Sequence, residues 1–528
     1  MPAAARAPSL TSLDGEMRWH EVTDRDGRPR PVFDRLLSDI SHLSTSNLRH
    51  LGDRMEATLR EMGVTFDLIR DSPWGRQPWT CDLLPHVFSP ADWERIVRGF
   101  RQRMRAFEMF LEDVYGAREI LRAGAVPIQA VLGSVHYQYA AVGLPRPRGS
   151  FLHLCGLCVC RAPDGTWQVK DHHYGHATGI SFMMQNRRAL ARVVPELFQD
   201  TPVLPLAEVP LAVMERLRET AHPFGADPTV VLLAPGGAGG ISNKQSFLAR
   251  RMGIPLVAGG DLLVLEDCVY LKTVRGLERV EVIFNRVPDA WLDPLVFRSG
   301  SSLGVPGLIQ CVRRGTVTLV NAVGSQIADD RSLLPFAGAI IRFYLGEAPV
   351  LPGVQTHWLG DIDQREMVLD DLAAYRISRT TRNDGSDVWE TAVNTDDEAT
   401  RTEIRRCASS FVAQPRDEGA LTLCYERGMP VHHPQDHIVF GVRTGDNFDV
   451  FPGALTRVFT GGISSEGLGF GWTTKDSWVL SDPKTDALLP PMVRRTALLG
   501  LPPRQVTSRV AESFYWLGRD LERAYHQA

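Results

Sequence analysis

Residues 229–257 constrain the fold of this chain more than any other stretch. Residues 229–234 read Thr-Val-Val-Leu-Leu-Ala, a run with no polar alternation. Such a run suits a strand covered on both faces. A glycine-rich turn follows, Pro235-Gly236-Gly237-Ala238-Gly239-Gly240, then a helix near Ser246 to Met252 and a short strand at 255–257. This strand–helix–strand rhythm is that of a parallel sheet and makes the chain a mixed α/β protein. Further strands are expected over 262–284, including Val280 to Phe284, and a helix from Ser332 to Leu345.

The flanking sequence adds helices and hairpins. Leu48, Leu51, Met55, Leu59 and Met62 fall on one helical face, with Gly63 suited to the residue just past the end. Ser89-Pro90 opens a second helix, a capping hydroxyl followed by proline at the first helical position. Its stripe is Trp93, Ile96, Val97, Phe100, Met104, Phe107, Leu111 and Val114, ending at Gly116. Residues 151–160 and Thr166 to Lys170 read as a hairpin about Pro163-Asp164-Gly165, with polar residues 171–176 directly after it. Residues 380–403 are polar and acidic and read as a mobile loop; strands resume at 437–442 and 448–451. After Leu501-Pro502-Pro503, the residues Val510, Phe514, Leu517 and Leu521 mark an amphipathic helix.

Composition narrows the function. With 528 residues the chain has room for about three domains. Basic residues number 58 and acidic residues 62, a net charge of −4, which argues against a general nucleic-acid binder. Only five of the basic residues are lysines, at 170, 244, 272, 475 and 484, so chemistry that needs lysine has few candidates. No run reaches the roughly 18 apolar residues of a membrane span, and Met1 to Leu10 lacks an apolar signal core. The eight cysteines form no dense framework, which points to a reducing cytoplasm. Cys155, Cys158 and Cys160 read as buried small hydrophobes.

Two constellations could carry chemistry. Asp171 with His172, His173 and His176 is the densest set of metal-ligating side chains; carboxylate suits Mg²⁺ or Mn²⁺, and imidazole shifts the preference toward Mn²⁺ or Zn²⁺. The glycines at 236–240 could cradle a phosphate on backbone amides or simply form a flexible connection. No Gly-x-Ser-x-Gly elbow supports acyl-serine hydrolysis.

Several segments together resemble one bacterial family, the circularly permuted ATP-grasp proteins of type 2. They are "GVTFDL" (63–68), "FLEDVYG" (110–116), "SSLGVPGLIQCVRRGTVTLVNAVGSQIADD" (301–330), "YLGEAPVLPGVQTHWLGD" (344–361), "VFPGALTRV" (450–458) and "TKDSWVLSD" (474–482). The ending "SRVAESFYWLGRDLERA" (508–524) is similar to the first helix of an alpha-E domain. The resemblance implies a permuted ATP-grasp fold in which residues 151–190 pack beside 435–480. It divides the chain into an irregular lead-in and helical region (1–150), an ATP-grasp segment carrying the metal motif (151–225), a Rossmann-like subdomain (226–330), the remaining ATP-grasp subdomains (331–482), and a linker with the alpha-E-like helix (483–528). It implies an ATP-dependent carboxylate–amine ligase working through an acyl phosphate. The cofactors would be ATP with Mg²⁺ or Mn²⁺, and the substrates small-molecule or peptide carboxylates and amines. Partners would be an alpha-E helical protein or a transglutaminase-like protein, in a peptide-modification role.

By the same resemblance Asp171 and His173 stand where the family has the Glu and Asn of its metal motif. Arg331 ends the family's Asp-Asp-Lys as Asp329-Asp330-Arg331. The nucleotide-strand lysine falls at Ser378, with Arg379 or Arg376 as substitutes, and Gln414 stands at the adenine side. Lys475-Asp476 remain as in the family, and Arg286 and Arg457 complete the cations expected on the transferred phosphate. The family's arginine at position 175 is Gly175, and its lid and Asn-Ser-Ser-Gln-Gly-Gly-Gly segment are altered here to residues 380–390 and 464–471. Two readings therefore stand: a divergent ligase, and a degenerate ATP-grasp protein that binds a peptide or partner without chemistry.

Overall fold

The computed structural model describes residues 18–488, apart from 25, 68–75, 200, 222–226, 237–242, 382–391, 394–397, 417–418 and 461–470, together with 508–527. The expected lid, the glycines at 237–240, the segment 464–470 and the linker at 501–503 lie outside these residues.

Helix α1 (Pro90–Val114) forms for the reasons its sequence gives. Ser89 Oγ accepts from the Asp92 amide, Pro90 takes the first turn, and every residue of the expected stripe is buried. The hairpin is β1 (Leu154–Arg161) and β2 (Trp167–His173). Its second strand runs three residues past the expected end, because Asp171, His172 and His173 are buried and the ladder continues through them. The βαβ unit is β3 (Val230–Leu233), α2 (Asn243–Met252) and β4 (Leu256–Val257), joined by β5 (Val282–Asn285) and β6 (Thr318–Val320). The expected helix at 332–345 narrows to Ala337–Leu345, preceded by a 3₁₀ turn at Arg331–Leu333. A small sheet follows: β7 (His357–Trp358), β8 (Tyr375–Arg379), β9 (Ala392–Val393) and β10 (Phe411–Pro415). Then come β11 (Leu421–Glu426) and two long strands, β12 (Met429–Thr444) and β13 (Asn447–Phe459), where only short ones were expected. Strand β14 (Trp472–Lys475) and the C-terminal helix α3 (Ser508–Gln527) complete the set.

The central sheet runs β14-β13-β12-β1-β2, with β11 on the free end of β12. Strand β1 lies antiparallel between β2 and β12, so residues 154–173 sit beside 435–459 as the resemblance implied. One sheet face carries Leu157, Val159, Val169 and Val439 and packs under α1. The other carries Cys158, Ile438, Phe440 and Leu455 and packs, toward one end, on Phe182, Met183 and Leu190. Cys155 and Cys158 point to opposite faces, as their spacing requires, and none of the eight cysteines is in a disulfide.

The parallel sheet has the order β6-β5-β3-β4. Strand β3 therefore has its sequential neighbour on one side and β5 on the other, which opens a crevice at the carboxyl ends of β3 and β5. The small sheet, β7-β10-β8-β9, has its own apolar side of Leu359, Val368, Ile377, Ile404, Phe411 and Ala413. Among the described residues no helix is long and apolar enough to cross a membrane.

Candidate functional site

An irregularity in the central sheet builds the site. Cys158 pairs with Asp171, yet Val159 pairs with Val169, so the ladder skips Lys170. A bulge of this kind turns two successive side chains to one face. Val169 and His172 both face α1: Val169 joins its apolar cluster, and the His172 ring lies 3.1 Å from an Arg103 nitrogen and packs edge-on to Phe107. Lys170 and Asp171 both face the opposite way. Lys170 Nζ donates to Asp436 Oδ2 at 2.9 Å, and Arg331 donates twice to Asp171 Oδ2, at 3.1 and 2.9 Å.

On this face Arg457 also grips Asp436 through two nitrogens, at 2.7 and 2.6 Å. Burial alone would raise the Asp436 carboxyl's pKa; Arg457 and Lys170 outweigh it and hold the group well below the usual carboxylate range. Two cations on one carboxylate leave an excess positive charge.

Above this patch stands the small sheet. Strand alternation turns Ile377, Phe411 and Ala413 into its apolar side and Arg376 and Gln414 toward the central sheet. Gln414 Nε2 donates to Thr356 Oγ1 at 3.1 Å and reaches the Lys170 carbonyl at 3.4 Å. Between the sheets lies a cavity of 340 Å³ lined by Lys170, Arg376, Gln414, Cys160, His432 to Gln435 and Phe459. Lys170 Nζ sits 4.4 Å from the Phe459 ring centroid. The cavity thus offers cations, an amide and a flat apolar wall.

The structure places Asp171 and Arg457 on the Lys170 face of the central sheet, Arg331 against Asp171, His173 two residues further along β2, and Gln414 on the cavity wall, and it sets four other candidates apart. Lys475 pairs with Thr456, whose side chain shares the far sheet face with His437; Arg457 is one residue on and lies on the Lys170 face, where it holds Asp436. Lys475 is buried and donates to Asp82 Oδ1 and to the carbonyls of Leu84 and Leu423, at 2.8 to 2.9 Å. It is a structural lysine, four ladder steps of about 4.8 Å from β2. Asp476 accepts from Arg187 Nε, Trp478 Nε1 and the Ser477 amide, and is likewise a packing residue. Arg379 lies on the small sheet's apolar side over Phe411, paired with Glu403 at 2.6 Å; Arg376, not Arg379, reaches the cavity. Arg286 stands elsewhere, at the crevice of the parallel sheet, where its Nη2 donates to the Ala177 carbonyl at 3.0 Å.

The metal reading meets an obstacle. Asp171 Oδ2 is occupied by Arg331 and its Oδ1 accepts from the His172 amide, at 2.9 Å. Among the described residues no group of three His, Cys, Asp or Glu converges as a metal-ligand set. These donors do not by themselves build a protein metal cage. Lys170 is the residue the sequence reading missed. Its signals were the scarcity of lysine and its place beside Asp171.

Comparisons with known proteins agree with this architecture. The profile of the circularly permuted ATP-grasp type 2 family matches residues 85–459. An uncharacterized protein of Mycobacterium tuberculosis is 34% identical over 470 residues, covering 88% of this chain and 84% of that one. An uncharacterized protein of Synechocystis is 32% identical over 480 residues, covering 89% and 98%. Among solved structures, a glutathione synthetase-like effector from Globodera pallida superposes with a TM-score of 0.54 at 10% identity, covering 83% of this chain and 98% of that one. That likeness is one of fold.

Proposed function

Because the chain belongs to the circularly permuted ATP-grasp type 2 family, a family of ATP-dependent ligases, we propose that the cavity between its two sheets binds ATP and that the protein joins a carboxylate to an amine. The observation that carries this reading is the cavity's chemistry: Lys170 and Arg376 line it, and Arg457 stands behind Lys170 on Asp436. Fixed cations in a partly enclosed cleft are what a polyphosphate requires, and 340 Å³ is within the range of small-ligand sites.

In the proposed reaction a carboxylate oxygen of the substrate attacks the γ-phosphorus and ADP leaves with the β–γ bridging oxygen. The amine nitrogen then attacks the acyl carbon, loses a proton, and expels inorganic phosphate. Lys170 would sit against the phosphates as a point charge. Arg376, a planar fork, would hold two oxygens from the opposite sheet. Gln414 would orient the nucleotide by its amide. Phe459 would exclude water from one side. No step is assigned to a metal, given the commitment of Asp171 to Arg331.

That same ion pair favours the degenerate alternative, a protein that binds a peptide or partner without chemistry, narrowed here to a second reading in which it still binds nucleotide without turning it over. Calorimetric titration with ATP, followed by an ADP-formation assay with pooled amino acids and peptides as acceptors, separates the two. Binding with ADP formed supports the ligase, and binding without it supports the second reading. No binding at millimolar ATP, with or without Mn²⁺, overturns both. Three extensions of this reading follow: a peptide-modification role on the family resemblance, a helical partner docking on α3 on the resemblance of residues 508–524, and a cytoplasmic setting on cysteines that form no disulfide framework.

A further inference from the structure

Residues 144–151 read Leu-Pro-Arg-Pro-Arg-Gly-Ser-Phe, a stretch the proposed reaction does not use. A proline fixes the backbone just ahead of each arginine, and a 3₁₀ turn forms over Pro147–Gly149. The turn packs against β6, the outer strand of the parallel sheet. A cavity of 180 Å³ lies between them. Its floor is apolar: Leu144, Phe151, Val317, Leu319 and Ala322 line it, and all five are buried. Arg146 and Arg148 line it too; Arg146 is half-buried and Arg148 exposed, so the two mark its mouth.

The two arginines are differently engaged. Arg146 pairs with Glu112 at 3.1 Å and lies over the Phe151 ring, 5.0 Å from its centroid. Arg148 is committed through Nε alone, which donates to the Glu219 carbonyl, a neutral acceptor, at 2.7 Å. The Glu219 carboxylate is itself paired with Arg216 at 2.6 Å. Among the described residues no carboxylate pairs with Arg148, and its two terminal nitrogens keep their donors. Arg148 also holds a left-handed backbone, with φ at 48°, a conformation that costs an arginine strain and a glycine none. The turn and the Nε bond thus hold a guanidinium with its outer fork open beside an apolar cavity.

We propose that this cavity is a second ligand site, for a small monocarboxylate with a compact apolar tail: the tail fills the cavity and the carboxylate takes the two terminal nitrogens of Arg148. A planar guanidinium fork matches the two oxygens of a carboxylate. An apolar cavity of about 150 Å³ is room enough for a benzene-sized group, so a phenyl or branched aliphatic tail is the scale that fits. The site shares no lining residue with the cavity between the two sheets. It therefore stands or falls independently of the ligase reading.

The test titrates 3-phenylpropionate into the full chain by calorimetry without nucleotide. Two controls run beside it: 3-phenylpropionamide keeps the tail and loses the charge, and acetate keeps the charge and loses the tail. The acid is expected to bind about tenfold or more tightly than either control, the scale of a hydrogen bond to a charged group. Arg148→Gln should weaken it by about fivefold or more, Ala322→Leu should fill the cavity and abolish binding, and Lys170→Met should leave the affinity within about twofold. Arg148 is exposed, so Arg148→Gln keeps the test decisive if Ala322→Leu fails to fold. No binding of 3-phenylpropionate at millimolar concentration, an affinity no greater than that of the amide or of acetate, or an affinity unchanged in Arg148→Gln overturns the site. Absence of ATP binding while 3-phenylpropionate still binds overturns the ligase reading and leaves this site standing.

Discussion

Lys170 and Lys475 are the same side chain in opposite situations, and substitution should separate them. Lys475→Met leaves Asp82 buried without its cation; breaking such a pair costs about 3–5 kcal/mol, which a denaturant titration would register as a large fall in midpoint. Lys170→Met leaves Asp436 with Arg457, so the midpoint should move by less than about 1 kcal/mol, while ATP affinity falls by roughly 10- to 100-fold, read by calorimetry. Reversed outcomes would return Lys475 to the site. Histidines make a second residue-scale prediction. Burial, reinforced by rings or cations at His20, His86 and His153 and outweighing the opposing Asp436 carboxylate at His437, holds His20 and His437 near a pKa of about 3, His153 near about 4, and His86 well below 6.5. The folded state keeps these rings neutral, whereas the unfolded chain protonates them near pH 6.5. Their contribution is therefore complete above about pH 6.5 and is lost as pH falls toward 3–4, each ring removing about 1.4 kcal/mol per pH unit in that window. Urea midpoints that stay flat between pH 7.5 and 4.5 would contradict this.

At the scale of elements, α1 was legible because its signals are local. Ser89, Pro90 and the apolar stripe act within the helix itself, and Ser89→Ala should cost about 1 kcal/mol in thermal or denaturant unfolding. Strand β2 was legible only to Lys170, because what buries its last residues lies far away. Asp171 is held by Arg331, 160 residues on, and His172 by Arg103, 69 residues back. The bulge was invisible for the same reason: a skipped residue exists only relative to β1, and local alternation assigns Lys170 and Asp171 to opposite faces. The register of β14 against β13 likewise decides that Lys475 turns away from Arg457, although both stand in segments that match the family. Deleting Lys170 should restore an unbroken ladder in which Val169 and His172 keep the α1 face and Asp171 the opposite one. Loss of ATP binding, read by calorimetry, with an unfolding midpoint that moves by less than about 1 kcal/mol is the expected outcome; retained ATP binding would deny the bulge its role.

At the scale of the whole molecule, the apolar stripe of α3 calls for docking, on this chain's own core or on a partner's helical domain; residues 512–519 are all exposed here, with Phe514 at 68% and Leu517 at 53%, which leaves those side chains uncovered by the rest of this chain. Removing residues 505–528 should leave the unfolding midpoint within about 0.5 kcal/mol of the full chain, since surface changes away from packing are of that order. A larger drop, measured by urea titration, would mean the helix covers part of the body. The central sheet behaves in the opposite way. Its strand β1 pairs on one edge with β2, made soon after it, and on the other with β12, and the bond from Lys170 to Asp436 spans 266 residues of chain. During synthesis at 5–20 residues per second, that partner arrives on the order of 15–50 s later. For all that time the nascent polypeptide carries a naked strand edge and half of an apolar layer. A protein whose proposed nucleotide cleft is assembled from segments 266 residues apart cannot rehearse that cleft on the ribosome; it must wait for the later segment to be translated.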